Sequence, residues 1–116
     1  MRKIQAAKAC ALASRSHLDE KTIAYLAKVN AQSCERIGSS LKFCLLAEGL
    51  ADVYPRYAPT MEWDTAAGDA VLRAAGGMVF SFSRQPLVYG KPEFRNGPFL
   101  ACAKSSGSGR LLNAFV

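Results

Sequence analysis

The stretch "EWDTAAGDA" at 62–70 puts Asp64 directly behind the chain's single tryptophan, Trp63, and directly ahead of a small-residue run that reads as the first turn of a helix. A carboxylate there has two uses. It can accept the unpaired amide hydrogens of the first turn, or it can face a divalent cation from a strand-to-helix junction. The stretch alone leaves both open. A second stretch is "ERIGSSLKF" at 35–43. There Gly38, Ser39 and Ser40 open a helix whose free amides and dipole favour an anion, and Lys42 adds a mobile positive charge. An ordinary serine cap followed by a solvated lysine accounts for the same residues. The third stretch is "SRSH" at 14–17, where Ser16 and the chain's only histidine, His17, stand between an apolar run and a helix start. No carboxylate or nucleophile partner for His17 is visible, so spacing gives it no general-base role.

These residues need elements to hold them, and hydrophobic periodicity supplies the candidates. "ACALAS" reads as a short buried strand, after which "RSHLDEKTIAYLAKV" changes to helical period. Asp19 is the natural N-cap of that helix, Leu18 and Ile23 are spaced as a hydrophobic staple, and Ile23, Leu26 and Ala27 form its apolar face. "SCERI" is a second strand, ended by Gly38. From 40 to 51, Leu41, Phe43, Cys44, Leu45, Leu46, Ala47 and Leu50 predict a helix apolar almost all round and hence sandwiched between layers. "ADVYPR" is extended, since Pro55 and Pro59 exclude a continuing helix. The next helix begins at Asp64 and stops at Gly76 and Gly77, where glycine supplies a left-handed cap. "MVFSF" alternates as a strand, and "NGPFLACA" is a turn leading into another. The succession strand, helix, strand, helix, strand, helix, strand, strand predicts an α/β layered sheet-and-helix domain over 1–103. Residues 104–116 read as a flexible linker, "KSSGSGR", and a tail, "LLNAFV", either docked or frayed.

With 116 residues the chain has enough material for one core and not two. Half of its residues are hydrophobic and 21% are charged, as in a globular domain. A formal charge of +6 favours anionic partners, yet no dense Lys/Arg block or aromatic-basic alternation marks a nucleic-acid groove. A phosphorylated small molecule fits the charge at least as well as a nucleic-acid polymer, and no polymer is expected as partner. Cys10, Cys34, Cys44 and Cys102 are scattered without CxxC spacing, which argues against zinc and for buried thiols in a cytoplasmic protein. The basic opening has the start of a signal peptide, but Gln5 and Lys8 interrupt its apolar run, and no stretch reaches membrane-spanning length.

Taken in order, "ASRSHLDEKT", "GSSLKFCLLAEGLADVYPRYAPTMEWDTAAGDAVLRAAGG" and "PLVYGKPEFRNGPFLACA" closely resemble the carboxy-terminal half of the inositol monophosphatase superfamily. Within it, they most resemble the 3'(2'),5'-bisphosphate nucleotidase branch. "WDTAAGDAVLRAAGG" is similar to the superfamily's second signature. The resemblance implies magnesium-dependent hydrolysis of adenosine 3',5'-bisphosphate to AMP and phosphate, in sulfate assimilation or nucleotide salvage. It implies that Asp64 helps bind a catalytic Mg2+, which it can do while also capping its helix. It further implies that Gly38, Ser39, Ser40 and Lys42 line the nucleotide and its phosphate, and that Ser16 and His17 approach the adenosine. Arg56 is a candidate for the second phosphate, because its guanidinium fork suits bidentate hydrogen bonds. Inositol-preferring relatives often carry an acidic residue near that position.

The superfamily's amino-terminal half, with its paired glutamates and Asp-Pro-x-Asp-Gly-Thr stretch, has no counterpart in this sequence. Magnesium gives up its waters only to several oxygens, so one aspartate does not assemble the site. Glu62, the near neighbour, reads as structural or supporting. The chain is therefore expected to be inactive by itself, and to self-associate or pair with an amino-terminal half that would cover its apolar surface and open sheet. Two other functions remain open, a non-catalytic nucleotide-binding module and a superfamily member acting on inositol monophosphate or a sugar bisphosphate.

Overall fold

A computed structural model of the chain describes residues 9–13, 19–36, 41–104 and 108–115. In chain order the elements are β1 (Ala9–Ala13), α1 (Glu20–Lys28), β2 (Ala31–Arg36), α2 (Leu41–Ala47), β3 (Val53–Arg56), β4 (Thr60–Met61), α3 (Glu62–Ala74), β5 (Met78–Ser81), β6 (Arg95–Asn96), β7 (Phe99–Cys102) and α4 (Ser108–Asn113). Five strands form the main sheet in the order β2-β1-β3-β7-β5, and β4 and β6 make a separate two-stranded ribbon. β1 runs parallel to β2 and β3. β7 runs antiparallel to β3 and β5. The chain steps one way from β1 to β2 and the other way from β2 past β1 to β3. Right-handed crossovers in opposite directions put α1 and α2 on opposite faces of the sheet. Between β1 and β3, where the direction reverses, an α/β sheet opens a crevice at the carboxy ends of its strands.

Strand alternation sorts the core into two faces. Cys10, Leu12, Tyr54, Phe99 and Ala101 point to the face covered by Phe43 and Leu46 of α2 and Leu72 of α3. Ala11, Val53, Leu100 and Cys102 point to the other, covered by Tyr25 and Val29 of α1 and by Leu111 and Phe115 at the carboxy end. The expected α/β layered domain is thus the observed one, with helices on both sides of a mixed sheet.

Several local expectations are corrected. The inward face of α1 is Thr22, Tyr25 and Val29 with Leu26 packed against the same core as expected, whereas Ala27 is exposed and Ile23 is 54% exposed. The sheet and the tail select that face, with the Tyr25 hydroxyl donating to the Leu111 carbonyl at 2.7 Å. Leu18, the other half of the expected staple, lies outside the described residues. α2 ends at Ala47, and the positive φ of Gly49 turns the chain away, leaving Leu50 57% exposed instead of sandwiched. The tail, left open as docked or frayed, is docked through α4, with Leu111 and Phe115 buried and the Phe115 ring meeting those of Tyr25, Tyr57 and Phe82. Cys10 is disulfide-bonded, not a thiol, whereas Cys44 and Cys102 take part in no disulfide. Linear cysteine spacing does not show which strands lie side by side. No helix among the described residues is long and apolar enough to cross a membrane.

Candidate functional site

The site is built at the amino end of α3. The β4–β6 ribbon pairs Thr60 with Asn96 and Met61 with Arg95, so the chain enters the helix from an anchored strand. α3 therefore starts at Glu62, two residues before the expected start, with Met61 in the capping position. Asp64 is not the N-cap. It is the third residue of the helix, within the first turn, and its Oδ2 reaches back to accept from the Met61 amide at 2.9 Å. At the other end Gly76 adopts a φ of +94°, and the amides of Gly76 and Gly77 donate to the carbonyls of Arg73 and Leu72. That is the paired arrangement a left-handed glycine permits, and it stops the helix where the sequence predicts.

The Asp64 carboxylate is divided between the two roles that its sequence context left open. Oδ2 serves the backbone, while Oδ1 accepts no hydrogen bond among the described residues, and the residue is exposed. The free oxygen fits a hard divalent cation. It is a single ligand, because among the described residues no group of three or more His, Cys, Asp or Glu side chains comes together. Glu62 cannot join it. Its oxygens accept from the Gly90 and Lys91 amides at 3.0 Å each, and Oε2 pairs with Lys91 Nζ at 2.9 Å. The Gly90 and Lys91 amides, before the lysine's charge, hold the Glu62 carboxyl at about 2. Its expected structural role is the one its contacts describe.

Around Tyr54 stand two cations. Lys42, the second residue of α2, is only 3% exposed, and its Nζ lies 5.0 Å from the centroid of the Tyr54 ring. Burial, and then the charge of Arg56, lowers its ammonium to about 8. Arg56 ends β3, donates from Nε to the Ala58 carbonyl at 3.2 Å, and shares a side-chain hydrogen bond with Tyr54. Burial raises the Tyr54 phenol, the Arg56 guanidinium opposes that rise, and the Asp64 carboxylate adds to it. Tyr54 thus feels the charges of both Arg56 and Asp64, and Lys42 feels that of Arg56. Two neighbouring cations, one of them losing proton affinity to burial, offer positive charge to an anion.

Of the residues singled out in the sequence, Lys42, Arg56 and Asp64 come together. Ser16, His17, Gly38, Ser39 and Ser40 lie outside the described residues, in the segments 14–18 and 37–40 that connect β1 to α1 and β2 to α2. Tyr54 was missed. Its signal was available, since in an extended "VYPR" the side chains of Tyr54 and Arg56 share a face.

A network behind α3 holds the 82–98 excursion against the helix. Asp69 accepts from Arg73 Nε at 2.7 Å and from the Tyr89 hydroxyl at 2.8 Å, and Arg73 also donates to the Leu87 carbonyl at 2.7 Å. Burial, with Asp69 contributing, raises the Tyr89 phenol to about 12. Asn96 donates from Nδ2 to Thr60 Oγ1, Met61 O and Thr65 Oγ1 at 3.1, 3.1 and 3.0 Å.

Comparison with known proteins places this geometry. The model of the inositol monophosphatase family matches residues 2–112. An uncharacterized protein in the pss 5' region of Rhizobium leguminosarum bv. phaseoli is 74% identical over 58 residues, covering 50% of this chain and 61% of that protein. The 3'(2'),5'-bisphosphate nucleotidase CysQ of Escherichia coli strain K12 is 53% identical over 76 residues, covering 66% of this chain and 31% of that protein. The crystal structure of CysQ from Bacteroides thetaiotaomicron, a bacterial member of the inositol monophosphatase family, superposes with a TM-score of 0.73 at 52% identity. It covers 84% of this chain and 38% of that one. The chain spans about a third of the length of the CysQ proteins it matches.

Proposed function

We propose that this chain, which belongs to the inositol monophosphatase family, is the carboxy-terminal part of a magnesium-dependent 3'(2'),5'-bisphosphate nucleotidase that converts adenosine 3',5'-bisphosphate to AMP and phosphate. The observation that carries the reading is the buried Lys42 close enough to Arg56 to feel its charge. A substrate with two phosphates has the charge to satisfy both, and the similarity to CysQ proteins supports the same substrate class. In this reading Arg56 holds the second phosphate through its fork, Lys42 neutralises phosphate charge, and the free oxygen of Asp64 is one magnesium ligand. Magnesium, when bound, polarises the phosphate and activates the attacking water. The remaining ligands come from an amino-terminal segment carrying the paired glutamates and the Asp-Pro-x-Asp-Gly-Thr stretch, supplied in the same chain or as a partner.

Calorimetry on the chain tests the anion site. Adenosine 3',5'-bisphosphate should bind about tenfold more tightly than AMP, the worth of one charge-assisted hydrogen bond of roughly 1.5 kcal/mol, with salt narrowing the difference. Arg56→Glu should remove most of that preference. Equal affinity for the two nucleotides would sink the bisphosphate assignment. A second reading, a nucleotide-binding module without chemistry, is favoured because no group of three or more His, Cys, Asp or Glu side chains comes together among the described residues. Adding the amino-terminal segment separates the two. Magnesium-dependent phosphate release that appears with the segment and disappears in Asp64→Asn supports the enzyme, and nucleotide binding with no release supports the module.

A further inference from the structure

We propose that Asn96 is the positioning residue for Asp64, setting through Met61 which carboxylate oxygen caps the helix and which is left open. Asn96 is 0% exposed and belongs to β6, not to the helix it serves. Its Nδ2 has two hydrogens for three acceptors, and the Met61 carbonyl among them can only accept, which fixes the orientation of the amide. Met61 is thereby held on both sides. Its carbonyl accepts from Asn96, and its amide donates to Asp64 Oδ2. The Asn96 Oδ1 is buried with no hydrogen-bond partner among the described residues, so the side chain is kept for its donors at the cost of an unpaired acceptor. Thr65, on the next turn of α3, closes the circuit, with Oγ1 accepting from Asn96 and donating to the Glu62 carbonyl at 3.2 Å. Without the Asn96 donors, Met61 is free to turn. The carboxylate then loses its tether, and either oxygen can swing outward.

The functional consequence rests on the reading of Asp64 as a metal ligand, while the tether itself is tested without any metal. Amide hydrogen exchange followed by NMR on the 116-residue chain reads it directly. Asn96→Ala should lower protection of the Met61 amide by about fivefold, the equivalent of losing one helix cap, while the amides of β3 and β7 keep theirs. Asp64→Ala should cause the same loss at Met61, and combining the two variants should add nothing further. Uniform loss across β3 and β7, or losses at Met61 that multiply in the double variant, would overturn the proposal. Where Asn96→Ala fails to fold, the reciprocal measurement decides, because coupling runs both ways. Asp64→Ala, at an exposed position, should shift the Asn96 side-chain amide signals and speed their exchange, and unchanged signals would overturn the proposal. No ligand is present in these measurements, so failure of the nucleotide reading would leave them untouched.

Discussion

Replacing Gly68 with alanine should destabilise the protein, although alanine is the better helix former. Gly68 lies in the middle of α3, facing α2. A methyl group built there would lie 2.5 Å from Phe43 Cδ2, 2.6 Å from Cγ and 2.8 Å from Cβ. Carbon atoms in contact sit at roughly 3.5 Å or more, so the ring is about 1 Å too close. It has little room to retreat, because Phe43 packs against the rings of Tyr54 at 5.8 Å and Phe99 at 6.1 Å. Helix propensity favours alanine by about 1 kcal/mol, and overpacking a core contact costs about 1–3 kcal/mol. The net is a loss of about 1 kcal/mol, or roughly 4 °C in melting temperature for a domain of this size. Urea titration measures it. Ala66→Gly, at an exposed position on the same helix, calibrates propensity without a clash and should cost about 1 kcal/mol. Because Lys42 precedes Phe43 in α2, the displaced helix should also weaken binding of adenosine 3',5'-bisphosphate. Stabilisation of Gly68→Ala by about 1 kcal/mol would refute the reasoning, since propensity would then act unopposed and Gly68 would not set the spacing of the two helices.

Glu62 has a folded value of about 2, below the ordinary 4.5, so what it contributes is present above about 4.5 and lost as pH falls toward 2. NMR of the Gly90 and Lys91 amides should show an acid step in that window, absent in Glu62→Gln. Lys42 has the opposite linkage. Its folded value of about 8 lies below the ordinary 10.5, so the unfolded chain binds the proton more tightly and stability rises as pH climbs from 8 to 10.5. Affinity for the bisphosphate should fall as pH rises above about 8, and Lys42→Arg, which keeps its charge, should abolish that fall in calorimetry. Phe115→Ala should cost about 3 kcal/mol by urea denaturation, because the ring is fully buried among Tyr25, Tyr57 and Phe82. A loss under 1 kcal/mol would mean that the tail is not docked in solution.

Sequence by itself determined what depends on neighbours in the chain. Alternation in "FLAC" sends Phe99 and Ala101 to one face of the sheet and Leu100 and Cys102 to the other. Asp19 caps α1 by accepting from the Thr22 amide at 2.8 Å, and Gly76 stops α3 through its left-handed backbone. Lys42 and Asp64 could be named in advance because helix starts and charge are local properties, while Arg56 was named through the family resemblance.

Tertiary structure decided everything that turns on which distant segments meet. α3 begins at Glu62 and not at Asp64 because the ribbon to Arg95 and Asn96 brings the chain in already ordered. α1 buries Tyr25 and leaves Ile23 outside because the docked tail offers Tyr25 a carbonyl, and no period along α1 records that partner. Glu62 is committed to Gly90 and Lys91, and Asn96 to Met61 and Thr65, through pairings whose energies exist only once the sheet and helices have packed. Asp64 shows the boundary between the two in one residue. Its type and its place near a helix start were written locally, but which of its oxygens caps and which stays open depends on a side chain from another strand.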